Sequence, residues 1–119
     1  MSRTFKQLMG YWGPPLGLCV TIFIESSSRV PDIGPDLPHF DKAVHFLVFG
    51  LLGILFYRAF GTLAALKDHE IWRICAAIST ATLYGVSDEL HQWFVPYRSA
   101  DVWDAVADAI GAIVSVCGL

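Results

Sequence analysis

Residues 87–111, SDELHQWFVPYRSADVWDAVADAIG, hold most of the charged side chains in the second half of the chain and lie between two apolar runs. The whole chain is 55% hydrophobic and only 16% charged, with a mean hydropathy of +0.52. A 119-residue chain of this composition is typical of a polytopic membrane protein rather than a soluble domain. Because charged side chains are costly beside lipid, we expect those in this stretch to serve a structural or functional purpose.

The apolar runs on either side of this stretch predict transmembrane helices. Residues 73–88 form the third predicted span and reach the start of this stretch. Residues 101–119 form the fourth and include its last part. Residues 42–60 form the clearest span, and residues 14–28 a shorter first one. We therefore predict a single all-α domain over residues 1–119, an integral membrane bundle of four transmembrane helices.

The first span has two interpretations. Residues 14–28 rise only about 22 Å as a helix, which is short for a bilayer. A basic N-terminus followed by an apolar run also fits a cleaved signal peptide, so retention of this span is left open. Pro14 and Pro15 are expected in the first turn of the helix, where a missing N–H costs nothing.

The remaining features concern packing and links. Residues 61–72 and residues 88–100 are expected to be polar links. Small residues in the third span should allow close helix approach in lipid. They are Ser79, Thr80, Thr82 and Gly85.

Basic residues indicate the orientation. Five lie at the N-terminus or near the 61–72 link, and three lie elsewhere. The positive-inside rule therefore favours cytoplasmic termini. In either orientation, the start of the second span, the end of the third and the start of the fourth lie at one membrane face. The polar residues brought together there are Asp41, Lys42, His45, Asp88, Glu89, His91, Gln92, Arg98, Asp101, Asp104 and Asp108.

The acids of the last span are expected inside the membrane. Asp101, Asp104 and Asp108 are spaced i, i+3, i+7 and share one helical stripe. The uncharged residues 109–119 rise only about 16 Å, roughly half the hydrocarbon core. The fourth span must therefore take Asp104 and Asp108 into the bilayer, facing the other helices.

Three short motifs carry a resemblance to a known family. They are Asp41-Lys42-x-x-His45-Phe46, Glu89-x-x-Gln92 and Pro96-x-Arg98-x-x-Asp101-x-x-Asp104, the last leading to Gly111. Over residues 41–119 the chain resembles VanZ-like proteins. The resemblance implies a small multi-pass protein of the bacterial cytoplasmic (inner) membrane, related to a protein associated with resistance to the lipoglycopeptide teicoplanin. It implies no mechanism.

These observations predict an outward-facing polar pocket. Its residues are Asp41, Lys42, His45, Glu89, Gln92, Arg98, Asp101 and Asp104. We expect it to bind a lipid-linked or amphiphilic molecule of the cell envelope, such as a lipid-linked precursor or a lipoglycopeptide. The resemblance also suggests a link to teicoplanin resistance. Arg98 and Lys42 would hold a phosphate, and a divalent cation on Asp101 and Asp104 could bridge to it. The other partner is the lipid bilayer. A pI of about 5.7 without a basic patch argues against nucleic acid.

Three other roles for these residues stay open. The first is a membrane-embedded hydrolase or transferase acting on a lipid-linked phosphate, with His45 and Glu89 as candidate catalytic residues. The second is a purely structural charge network, in which Arg98 bridges the acids of the last span and Lys42 pairs with Asp41 or Glu89. The third is ion or proton translocation.

Overall fold

The computed structural model describes residues 4–27, 40–94 and 102–119. These ranges contain five α-helices and no β-strand. The helices are α1 (Phe5–Ser27), α2 (Phe40–Phe60), α3 (Ala64–Lys67), α4 (Glu70–Trp93) and α5 (Val102–Cys117). The prediction of an all-α fold is confirmed.

Helix α2 is the one described helix that is both long and apolar enough to cross a membrane. The qualifying segment, Lys42–Phe60, has 19 residues and a mean hydropathy of 1.8. It rises about 28 Å, close to the ~30 Å of a hydrocarbon core. Helices α1 and α4 have 23 and 24 residues and are long enough, but their composition is less apolar.

Helix α2 also lies at the centre of the fold, where it packs most extensively against α5 and then against α4 and α1. Glycines allow the closest approach. A Cβ atom at Gly111 of α5 would overlap the backbone carbonyl of Phe46 in α2, and one at Gly53 would lie 3.0 Å from Val116. The two backbones are therefore in direct contact. The buried apolar residues around them are Ile22, Phe49, Leu52, Phe56, Ala59, Ala77, Ala81, Ala112 and Val116.

The small residues that α4 buries lie on one stripe. Ala77, Ala81 and Gly85 are spaced i, i+4, i+8 and are buried. The residues predicted for this role were Ser79, Thr80, Thr82 and Gly85. Of these only Gly85 is buried, whereas Ser79 is exposed and Thr80 and Thr82 are half-buried. The hydroxyl of Thr80 donates to a carbonyl in its own helix at 2.7 Å.

The expected position of the proline pair was wrong. Pro14 and Pro15 lie in the interior of α1 rather than in its first turn. A proline at position 14 cannot donate to the carbonyl of Gly10, which is its i−4 acceptor. Arg58 of α2 donates Nη1–H to that oxygen at 3.0 Å, and its guanidinium carbon lies 4.6 Å from the ring centroid of Tyr11. A neighbouring helix thus satisfies the acceptor, and α1 continues.

The described parts of the predicted links, residues 61–72 and 88–94, are largely helical. Residues 61–72 contain α3 and the beginning of α4, and α4 continues beyond Asp88 to Trp93. This extension matters for the site, because it keeps Asp88, Glu89 and Gln92 on a rigid helix with their side chains buried.

The polarity of the described part is inverted relative to a soluble protein. Its buried polar and charged residues are Asp88, Glu89, Gln92, Asp104 and Asp108. Many of its large apolar side chains are exposed, among them Leu16, Val20, Ile24, Leu47, Leu51, Leu83, Leu90, Ile113 and Val114. Soluble monomers rarely expose apolar surface on this scale.

Candidate functional site

The start of α2, the end of α4 and the start of α5 meet and form a cluster of polar side chains. These are the three helix ends that the alternation of spans brings to one face. We call this group the polar cluster. Its described members are Lys42, His45, Asp88, Glu89, Gln92, Asp104 and Asp108.

The shortest contact in the polar cluster joins His45 and Asp108. Nδ1 of the imidazole lies 2.7 Å from Oδ1 of the carboxylate, and the side chain of Asp108 is completely buried. The other oxygen, Oδ2, accepts no hydrogen bond from the residues that the structure describes. It lies against Gly85, where an added Cβ would be 2.7 Å away. The glycine therefore makes the space in which this carboxylate sits.

A second carboxylate, Asp104, lies between His45 and Lys42. Its Oδ2 is 3.8 Å from Nε2 of His45, and its Oδ1 is 3.5 Å from Nζ of Lys42. The imidazole plane is also nearly parallel to the ring of Phe49, with the centroids 6.1 Å apart. The ring of His45 is thus held by a carboxylate at each nitrogen and an aromatic ring at its face. The pair of Lys42 with Asp104 was not among the pairings proposed from the sequence, and those with Asp41 and Glu89 stay predictions.

Helix α4 contributes Glu89 to the same centre. One ligating atom each from Glu89, His45 and Asp108 lies within 4.8 Å of the others. Gln92, one turn further along α4, is also buried. Three separate helices therefore direct nitrogen and oxygen atoms toward one centre. This is the arrangement that side chains on facing helices of a bundle use to build metal or proton-transfer sites.

Some predicted site residues lie outside what can be described. Arg98 and Asp101 fall outside the described ranges, as does the side chain of Asp41. Their roles stay predictions, including the phosphate contact of Arg98 and the metal role of Asp101. Asp104, the other predicted metal ligand, borders Lys42 and His45, and its metal role also stays a prediction.

Two buried acids were left out of the predicted pocket. Asp108 continues the stripe of Asp101 and Asp104, and its i+7 position was a sufficient signal to include it. Asp88 lies beside Glu89 on α4 and is 6% exposed. His91 takes part in a different contact, because its ring stacks on Phe23 of α1 with the centroids 4.8 Å apart.

An open groove runs between α2 and α5 next to the polar cluster. It measures about 500 Å³, and its apolar lining residues are Ala43, Phe46, Leu47, Ala107 and Ile110. Lys42 is the charged residue of its lining, and 27% of that side chain is exposed. A smaller groove of about 330 Å³ shares Lys42 and Ala107. An apolar groove with one positively charged lining residue suits an anionic amphiphile in shape and chemistry.

Comparison with known proteins identifies the family. The model of the family described as VanZ/LLP1 matches residues 4–118, nearly the whole chain. The chain belongs to the VanZ/LLP1 family. The match extends the resemblance seen over residues 41–119 to include α1, so the first helix is part of the family's domain.

One relative of this VanZ/LLP1 protein is an uncharacterized protein of the fission yeast Schizosaccharomyces pombe. The two are 30% identical over 80 residues, which are 67% of this chain and 46% of the relative. The chain thus spans about half the length of that relative. No solved structure matches this chain.

Proposed function

We propose that this VanZ/LLP1 protein is a multi-pass membrane protein in which α1, α2, α4 and α5 all cross the bilayer, with the polar cluster near one surface. The inverted polarity supports this proposal. Buried carboxylates lie between helices whose outer surfaces are Leu, Ile, Val and Phe. A lipid environment explains both, because it solvates the outer side chains and excludes the charges. The distribution of basic residues favours both termini inside, and the resemblance to VanZ-like proteins suggests the bacterial cytoplasmic membrane.

Exposed tryptophans near the two ends of α4 also fit a membrane span. Trp72 and Trp93 are 67% and 72% exposed. They are separated by about 32 Å along a helix, which is close to the ~30 Å thickness of the hydrocarbon core. Tryptophan is enriched at both membrane interfaces, because its ring is apolar and its N–H needs a polar partner.

Cysteine accessibility tests the topology. In a variant whose Cys19, Cys75 and Cys117 are replaced by Ala, we expect Asp68→Cys and Phe94→Cys to react with an impermeant maleimide from opposite sides of sealed vesicles. Labelling of both from the same side would refute a crossing by α4. A variant with the cysteine at Leu83, in the middle of α4, is the control that should resist labelling until detergent is added.

Within the membrane, the protein binds an anionic lipid-linked molecule of the cell envelope. The observation that carries this proposal is the groove between α2 and α5, whose lining is apolar except for Lys42. A hydrocarbon chain would enter the groove laterally from the bilayer, and Lys42 would contact a phosphate at its end. Displacement of lipid from the groove costs little, while the phosphate contact supplies specificity. The suggested link to teicoplanin resistance is a special case of this role.

Thermal unfolding in detergent tests the proposal with polyprenyl phosphate as the probe. We expect it to raise the Tm, because a ligand that binds only the folded state stabilises it. Polyprenol, which lacks the phosphate, and inorganic phosphate, which lacks the tail, should each have no effect. An equal shift with polyprenol would refute a role for the charge.

Two pairs of variants locate the binding site. Lys42→Ala should abolish the shift, while Lys67→Ala, at an exposed lysine of α3, should retain it. Ala107→Phe should fill the groove and prevent binding, while Val114→Phe, at an exposed position of the same helix outside the groove, should not. Loss of the shift in all four variants would refute this location.

A hydrolase or transferase acting on the same phosphate is a second candidate. The observation that favours it is His45, whose two ring nitrogens are flanked by Asp108 and Asp104. A histidine oriented by a carboxylate is a common general acid or base. This candidate requires turnover of polyprenyl phosphate or pyrophosphate that is lost in a folded His45→Gln variant. Binding of polyprenyl phosphate without turnover would refute the enzyme and leave the binding function.

A further inference from the structure

His45 of α2, Glu89 of α4 and Asp108 of α5 meet at the centre of the polar cluster, each from a different helix. We propose that these three side chains bind one divalent transition-metal ion of the first row, such as Mn²⁺ or Zn²⁺. The three ligating atoms lie within 4.8 Å of one another. In a tetrahedral site with bonds of 2.0–2.1 Å, such atoms are about 3.4 Å apart. Side-chain movements on the order of 1 Å would therefore close the site around an ion.

The donor types select the class of metal. An imidazole nitrogen with two carboxylates suits Zn²⁺ and Mn²⁺, whereas Mg²⁺ and Ca²⁺ prefer oxygen ligands alone. Three protein ligands leave at least one coordination position for water or for an oxygen of a bound molecule. The triad therefore has the composition of a site that exchanges ligands.

The unsatisfied oxygen of Asp108 is an independent indication. This side chain is completely buried, yet its Oδ2 receives no hydrogen bond from the described residues. A buried carboxylate oxygen without a donor is costly, and a cation is one of the few groups that satisfies it without a further proton. This oxygen lies close to Gly85, where an added Cβ would be 2.7 Å away.

The surroundings of His45 also fit metal binding. Its Nδ1 faces Asp108, and its Nε2 lies 3.8 Å from Oδ2 of Asp104. If Nδ1 binds the ion, Nε2–H faces Asp104, and a movement of about 0.5–1 Å would bring the carboxylate within hydrogen-bonding distance. A carboxylate behind a metal-bound histidine is a recurrent arrangement that fixes the ring and increases its basicity.

The charges of the polar cluster favour a cation as well. Its described part contains four carboxylates, those of Asp88, Glu89, Asp104 and Asp108, against the basic side chains of Lys42 and His45. Negative charges crowded in a low-dielectric interior repel one another, and a divalent ion offsets two of them. The positive charge of the same ion would also favour the binding of a phosphate.

Metal content and affinity test the proposal on the full chain in detergent. After removal of metals with EDTA, we expect the folded protein to bind one Zn²⁺ or Mn²⁺ per chain and to gain thermal stability. Glu89→Gln and His45→Ala should each weaken binding at least ~10-fold, because loss of a ligand costs no less than loss of an outer partner. Co²⁺ added in place of zinc should give visible absorption bands that change in Glu89→Gln, which directly reports coordination.

Matched controls separate this proposal from others. His69→Ala removes an exposed histidine before α4 and should leave binding unchanged. Lys42→Ala, which is expected to lose the lipid-linked phosphate, should keep the metal, so the two proposals succeed or fail separately. Absence of stoichiometric metal in the folded wild type would overturn the site. Equal binding by wild type, Glu89→Gln and His45→Ala would also overturn it.

Discussion

His45 and Asp108 are 63 residues apart in the sequence, and their side chains share a hydrogen bond of 2.7 Å between α2 and α5. The carboxylate is completely buried, and Gly85 of α4 lies against it. The side chain of Asp108 therefore contacts both other helices that build the polar cluster. The stability of the fold and the chemistry of the site depend on the same pair.

A double-mutant cycle on this pair should reveal strong coupling. His45→Ala and Asp108→Ala are each expected to lower the unfolding free energy in detergent by about 2–3 kcal/mol, because each leaves a buried polar partner behind. The double variant should cost about 1–3 kcal/mol less than the sum. For comparison, His45→Ala and Asp68→Ala should be additive within ~0.5 kcal/mol, since Asp68 is exposed beyond the other end of α2. Additivity in the first cycle would contradict the hydrogen bond.

Gly111 should tolerate no side chain. A Cβ there would overlap the Phe46 carbonyl, which belongs to the backbone and cannot move aside, so Gly111→Ala should cost about 1–3 kcal/mol of unfolding free energy. Gly17→Ala is the matched control, because its Cβ would meet no atom within 4 Å. This second change should stabilise α1 by up to about 1 kcal/mol through helix propensity. Equal effects at the two glycines would refute the close approach of α2 and α5.

The interaction of Arg58 with α1 should depend on Pro14. Arg58→Ala removes the donor to the Gly10 carbonyl and should cost about 1.5–3 kcal/mol of unfolding free energy. In a Pro14→Ala background, the new backbone N–H can donate to that carbonyl, so the same Arg58 change should cost less by at least ~1 kcal/mol. Identical costs in the two backgrounds would mean that Arg58 acts only through its contact with Tyr11.

Two tryptophans should respond differently to the same substitution. Trp12 donates Nε1–H to the hydroxyl of Thr62 at 3.0 Å and packs edge-on against Phe60. Trp12→Phe should therefore lower the unfolding free energy by about 1 kcal/mol, because the hydrogen bond is lost while much of the apolar contact remains. Trp72→Phe, at a largely exposed position, should change it by less than ~0.5 kcal/mol. The reverse order would exclude Trp12 as the link between α1 and the end of α2.

Features governed by simple periodicity could be predicted from the sequence. The apolar runs predict helices, and alternation of spans brings His45, Glu89 and Asp104 to one end of the fold. The i, i+3, i+7 spacing also places Asp108 on the inner stripe of α5. These expectations depend on chain direction and helical repeat, and both are local properties of the sequence.

Features that depend on distant partners could not be predicted in this way. Pro14 is tolerated inside α1 because Arg58, 44 residues later, supplies a donor to its orphaned acceptor. The contact of Lys42 with Asp104 depends on how α5 is rotated against α2. The length of α4 was underestimated because its charged ends resemble links, although its C-terminal end buries Asp88, Glu89 and Gln92 and stays helical.

The polar cluster combines residues of α2, which is made early, with residues of α5, which is made last. This order has a consequence for biogenesis. At 5–20 residues per second, about 3–13 s separate the synthesis of His45 from that of Asp108. During that interval the histidine and Lys42 lack their α5 carboxylates, and α2 lacks the surface that receives Gly111. The nascent chain therefore has no complete site until α5 leaves the ribosome, and a product truncated before α5 would present a half-built cluster to the quality-control proteases of the membrane.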